Sequence, residues 1–197
     1  MNFSAADLVK KSATQIKYIR DKMISIHTWK MDHGIEFEKK VAKENLGSCE
    51  ELRTAFSNDD IVIFACHDIV CDDKVIEVKS TEFGDEQWYF ESSLLQTAFY
   101  KSLLMTSEGD LYTPKFRIKE GYNKEYKKIN PQIPYHLKFG DKEYDVIVNN
   151  PDAIIEYFLD KAKITLLEYD DCRSYDKQHK FKHFDELKQY FTYNEIV

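Results

Sequence analysis

Asp68, Glu77 and Lys79 have the residue types and spacing for chemistry on charged oxygen. Between them Asp72-Asp73 forms a turn signal flanked by two runs rich in β-branched residues, Ile61 to Val70 and Val75 to Val78, the local signature of strand, turn, strand. A turn centred between the two aspartates sets Asp68 directly opposite Glu77, where Cβ atoms stand about 4.5–5.5 Å apart. Like charges at that spacing repel unless a proton or a cation intervenes. Lys79 falls on the same face by the strand period of two. Two acids and a lysine on one face suit metal-assisted phosphodiester hydrolysis, which needs hard oxygen ligands and a cation to position water or stabilise developing charge. The plain alternative is a solvated surface hairpin. Against it stands the nearly continuous apolar run Ile61 to Cys66, which reads as a strand covered on both faces.

The elements that must position these residues are read from periodicity. Val9, Ile16, Ile19 and Met23 predict a first helix over about Ser4 to Met23, with Ser4 and Asp7 as its capping pair. Thr28 to Gly34 reads as a connection, and Gly34 to Asn45 as a second helix closed by Gly47. A short helical or loop segment is expected around Glu50 to Phe56, ahead of the hairpin. Beyond Lys79, a polar stretch (Thr81 to Gln87) and an aromatic cluster (Trp88-Tyr89-Phe90) precede a third helix over about Ser92 to Met105. From Leu111 to Val197 the chain reads as an antiparallel part with a hairpin, Tyr135 to Phe139 and Tyr144 to Val148 around Gly140-Asp141. Asn150-Pro151-Asp152 then starts a helix, with a strand expected around Ile164 to Tyr169 and a last helix around Phe184 to Tyr190. No repeat, low-complexity tract or linker divides residues 1–197, which read as a single domain.

Two helices aim polar groups at the hairpin. Glu38 lies between Ile35 and Ala42 on the apolar stripe of the second helix, where carboxylates rarely sit unpaired. The plain alternatives are a partly exposed edge position or an ion pair with a neighbouring lysine. In the third helix Gln96 and Tyr100 are four apart and share a face, though Ser93-x-x-Gln96 also fits a capping box that would spend the amide on a backbone N–H.

The ordered set Gly34-x-x-Phe37-Glu38, Asp68, Glu77-Val78-Lys79 and Gln96-x-x-x-Tyr100 resembles the PD-(D/E)XK nuclease superfamily, in particular its branch related to RecB and Cas4. The likeness covers roughly residues 30 to 105. It implies an α/β (α+β) fold with a restriction-endonuclease-like core, a central mixed β-sheet flanked by helices. Asp68 and Glu77 would be the acids that bind Mg2+ or Mn2+, and Lys79 the catalytic lysine. Glu38 would complete the metal site or orient water, and Gln96 with Tyr100 would position substrate. His33, five residues before Glu38, is the alternative metal ligand. The cysteines Cys49, Cys66, Cys71 and Cys172 lack the clustering of Cas4-type iron–sulfur ligands, so no cluster is expected. The function implied is a divalent-metal-dependent DNA nuclease, an exonuclease in recombination, repair, phage replication or defence. The alternatives are a non-catalytic nuclease-fold subunit that binds nucleic acid or acts as a scaffold, and a structure-specific or RNA endonuclease.

Composition sets the outer bounds. At 43 % hydrophobic residues the chain is of ordinary globular make-up, and no window approaches the roughly 18 apolar residues of a membrane span. The start Met1-Asn2-Phe3-Ser4 lacks a signal-peptide pattern, so a cytoplasmic protein is expected, in a bacterium or in a phage-infected host, with no membrane partner. The net charge of −7 disfavours nonspecific attraction to nucleic acid over the whole surface. Binding of single- or double-stranded DNA would rest on local patches, and Lys115, Arg117 and Lys119 alternate along one strand-like face as the candidate track. Lysine outweighs arginine, which suits weakly sequence-specific contacts. His179 and His183 read as part of a solvated basic face. A protein partner or a homo-oligomer is compatible with all of this.

Overall fold

The computed structural model describes residues 2–10, 29–45, 52–58, 61–81, 86–106, 130–167 and 184–196. In chain order the elements are β1 (Asn2–Ser4), α1 (Ala5–Lys10), α2 (Trp29–Glu44), β2 (Leu52–Asn58), β3 (Ile61–His67), β4 (Ile69–Val70), β5 (Val75–Lys79) and α3 (Glu86–Thr106). β6 (Tyr135–Phe139), β7 (Lys142–Val148), α4 (Pro151–Leu167) and β8 (Phe191–Ile196) follow. The fold is α+β: a five-stranded mixed sheet, ordered β4-β5-β6-β7-β8, is flanked by helices beside a three-stranded sheet, β1-β3-β2. Only β5 and β6 run parallel within the larger sheet. A parallel pair needs a crossover, and α3 lies in the one that joins them.

The Asp72-Asp73 turn produces the register that its symmetry dictates, Ile69 opposite Ile76 and Val70 opposite Val75. The expected continuous strand from Ile61 to Val70 is nevertheless broken at Asp68. Its Oδ2 accepts a hydrogen bond from the Val78 backbone N–H at 2.8 Å, so a side chain takes the place of a ladder carbonyl. The chain bends there: β3 belongs to the three-stranded sheet and β4 to the five-stranded one. β3 also alternates between buried and half-buried residues, so the cover expected on both faces is complete on only one.

Alternate residues of β5 face different partners. Ile76 and Val78 join Val41, Ala42 and Ile69 in a small apolar cluster that seats α2 with Phe37, whereas Val75 belongs to the main core. That core lies where α3 (Leu94, Leu95, Ala98, Phe99, Leu103) meets β6, β7 and α4, with Phe99 stacked on Phe158 at 4.3 Å between ring centres. Buried Ser93, Thr97 and Ser102 return their hydroxyls to carbonyls four residues back, which lets a helix covered on nearly every side carry polar residues.

Several elements differ from the sequence reading. The helix expected from Gly34 starts at Trp29, and the third helix starts at Glu86, taking in Trp88, Tyr89 and Phe90. Leu52–Asn58, expected as loop or helix, is a strand because it pairs along all of β3. The strand expected from Ile164 is the end of α4, which runs to Leu167. The last helix is a single turn, followed by β8, a strand formed by pairing with β7. Strand pairing overrides local propensity at β2 and β8. The start of α4 is as expected, with Asn150 Oδ1 accepting from the Ala153 N–H at 3.1 Å. Among the described residues no helix is long and apolar enough to cross a membrane.

Gly140 in the β6–β7 turn has φ +56°, and a Cβ there would meet Thr81 Oγ1 at 2.7 Å. Gly140→Ala is expected to destabilise the protein by about 1–3 kcal/mol, and adding Thr81→Ala should restore only the steric part. Urea unfolding of the two variants checks this, and a wild-type midpoint for Gly140→Ala would contradict it.

Candidate active site

β5 sets Glu77 and Lys79 two residues apart on the face opposite Ile76 and Val78, and Glu77 has no exposed surface. A buried carboxylate costs several kcal/mol unless it is paired and hydrogen-bonded. Here the Lys79 ammonium donates to Glu77 Oε1 and, at 3.0 Å, to the Val78 carbonyl. From α3, Gln96 Nε2 donates to the same Glu77 oxygen at 2.5 Å. The capping box considered for Gln96 is not formed: Ser93 lies inside α3 and its hydroxyl bonds the Tyr89 carbonyl, which leaves the Gln96 amide for the acid. Asp68 Oδ2 stands 3.6 Å from the Lys79 ammonium, so one cation bridges both acids.

The electrostatics follow from this arrangement. Burial opposes the charge on Lys79, but Glu77 and Asp68 outweigh it and hold the ammonium above the ordinary lysine range. Glu38, half-buried on α2, is pushed up to about 7, first by loss of water and then by the charge of Asp68, while Lys79 and Lys39 pull the other way. Three acids are thus drawn into one electrostatic group around a single lysine. Ile35, expected on the apolar stripe with Glu38, is 42 % exposed; the packed stripe is Phe37, Val41 and Ala42.

Tyr100 is buried, and its phenol is raised by burial and by the charges of Glu77 and Asp68, with a hydrogen bond from Gln96 acting in the opposite sense. Behind the acids lies a pair that spacing did not single out. His67 Nδ1 is 2.6 Å from the Tyr135 hydroxyl, and the ring packs edge-on to Tyr100 with centroids 5.5 Å apart. Burial lowers His67 to about 4 against the pull of Asp68, so the imidazole is neutral at physiological pH. Tyr89 is the other residue missed. It precedes Gln96 by two helical turns on the stripe Tyr89, Ser93, Gln96, Tyr100, and its acidity is weakened by burial while Lys79 pulls it back. The helical period was the available signal, had α3 been extended to Glu86.

His33, the alternative metal ligand, stands at a neighbouring cleft. It lines this cleft of about 460 Å³ with Glu36, Phe37 and Lys40 of α2, facing Thr81 and Asp141. Lys115, Arg117 and Lys119 lie outside the described residues, as do Cys49, Cys172, His179 and His183. Among the described residues, no three His, Cys, Asp or Glu side chains are grouped as they stand to hold a metal ion. The donor chemistry nevertheless fits a hard divalent cation, since Asp68, Glu77 and Glu38 supply only carboxylate oxygens and Asp68 already raises Glu38.

No family model and no curated protein matches the chain. A solved structure, the crystal structure of SSO0001, is similar to it with a TM-score of 0.56 and 16 % identity, over 94 % of this chain and 85 % of that one. A likeness at that identity establishes a shared fold.

A carboxyl raised in the folded state favours folding while it is protonated, and that contribution fades as pH climbs from the unfolded value of 4.5 through about 7. In EDTA the melting temperature of the wild type should therefore fall between pH 5 and pH 8 more than that of Glu38→Gln. Parallel profiles for the two proteins would remove Glu38 from the group.

Proposed function

We propose that this protein is a divalent-metal-dependent nuclease that hydrolyses phosphodiester bonds, with DNA as substrate and attack from strand ends. The observation that carries the reading is the convergence of Asp68, Glu77, Lys79 and Gln96 through contacts of hydrogen-bond and ion-pair length, with Glu38 close enough to feel the charge of Asp68. Asp68 and Glu77, with Glu38 as third acid, would hold Mg2+ or Mn2+, which when bound supplies charge neutralisation at the phosphate and a more acidic water. The chain's own groups do the rest. Gln96 fixes the Glu77 carboxylate, and Tyr100 and the His67–Tyr135 pair wall the site from behind. Lys79 carries a positive charge that a phosphate oxygen can share with the two acids, which places it to steady the charge that develops in the transition state.

A non-catalytic nucleic-acid-binding module is the second reading. It is favoured by the bridging ammonium, which balances much of the acids' charge without a metal.

Removing Lys79 outright would strand a buried carboxylate, at a cost of about 3–5 kcal/mol. Lys79→Gln keeps a donor toward Glu77 and is the better probe. Purified wild type should degrade linear single-stranded or duplex DNA in Mg2+ or Mn2+ and not in EDTA, and Lys79→Gln should lose at least a hundredfold in rate while circular dichroism reports a folded protein. Closed circles and RNA as parallel substrates separate end-dependent cutting from the endonuclease readings. Inactivity on all of them would leave the binding module.

Ion binding is checked apart from turnover. Mg2+ or Mn2+ should raise the melting temperature of the wild type, because a ligand that binds only the folded state stabilises it by mass action. The rise should vanish in Asp68→Asn; an undiminished rise places the ion elsewhere.

A further inference from the structure

We propose that the cleft between α2 and the β6–β7 turn is a nucleoside subsite, which takes the base and sugar of the nucleotide beside the phosphate at Lys79. The substrate class rests on the nuclease reading above; the choice of base and sugar rests on the cleft itself. At about 460 Å³ the cleft lies in the size range of small-molecule sites. Ser80 and Thr81 line it and follow Lys79 directly, so their Cα atoms lie within about 8 Å of that of the lysine. The cleft therefore continues from the acid site along two elements, from Lys79 into Ser80 and Thr81 and from Glu38 to its neighbours Phe37 and Glu36.

The charges on the cleft separate one part of a nucleotide from another. Lys40 is set against the carboxylates of Glu36 and Asp141, and it also lies 3.9 Å from Glu44. An anion gains little from such a balance. A neutral base gains from it, because its amino groups can donate to the carboxylates and hydroxyls while its face lies on an aromatic ring. Phe37 supplies that ring, half-buried and held from behind by the Val41 and Val78 cluster. Gly140 keeps the wall flat, since a side chain there would run into Thr81. The backbone conformation that demanded glycine for the turn thus also keeps the cleft open.

The test is a binding cycle that needs no turnover. A fluorescent single-stranded DNA hexanucleotide, made abasic at each position in turn, is titrated by anisotropy with Ca2+ in place of Mg2+ and the probe verified intact. For the wild type, loss of the base at one position should weaken binding about tenfold, equivalent to ~1.4 kcal/mol. Phe37→Leu, which preserves an apolar side chain on the small core, should weaken the intact probe by a similar factor and be indifferent to that abasic position. Independent effects of the two changes, or no binding of the probe, would overturn the subsite. Glu36→Gln with Asp141→Asn provides the second check. Unchanged or weaker binding supports a base in the cleft, whereas severalfold tighter binding with steeper salt dependence would assign the cleft to a phosphate and overturn the proposal. DNA cleavage without coupling in the cycle rejects the subsite alone, and coupling without cleavage of any substrate rejects the nuclease reading alone.

Discussion

A carboxylate with no exposed surface is the constraint from which the rest of the structure is most easily understood. Glu77 sits midway along β5, one strand in from the edge of the larger sheet, and its charge is tolerable only because β5 brings its own lysine two residues on and α3 brings an amide. Each compensating group fixes something else. Lys79 ties Asp68, and with it the bend at which the chain leaves one sheet for the other, to the same charge. Gln96 fixes the rotation of α3, so that Tyr100 and Tyr89 fall on the stripe facing the acids. The cost of burying one charge has been converted into orientation for five or six side chains.

Asp68 has a second duty that shapes the site. A main-chain donor of β5 ends on its carboxylate, so the acid holds the seam between two sheets and is oriented by backbone as well as by Lys79. A group held this way has little freedom to turn. Preorganisation of that kind is what electrostatic catalysis requires, and the same arrangement keeps Glu38 within reach of the charge that raises it.

Much of this was legible in the sequence because it is local. The Asp72-Asp73 turn fixes register by symmetry, the strand period puts Glu77 with Lys79, and the helical period puts Gln96 with Tyr100. The bend at Asp68 was not legible, since nothing in the run Ile61 to Val70 signals that a side chain will take the place of a ladder carbonyl. Strands β2 and β8 were missed or misassigned for the complementary reason. Arg53, Asn58, Asn194 and Glu195 are weak strand residues by themselves; β8 is made a strand by β7, far earlier in the chain, and β2 by β3, which follows it directly with Ile61 opposite Asn58. The neutral His67 beside Tyr135 joins residues 68 positions apart, a separation that no window of sequence spans.

β5 is five residues long and serves two masters by parity: odd-numbered Glu77 and Lys79 belong to the acid site, even-numbered Ile76 and Val78 to the seat of α2. Substitution can change either face without the other. A change of length by a single residue in the turn ahead of it cannot, because a slip of one exchanges the two sets wholesale, putting charges under α2 and aliphatics under Gln96. Descendants of this chain are therefore free to drift in composition across the Asp72-Asp73 turn, while insertions and deletions there are confined to even steps.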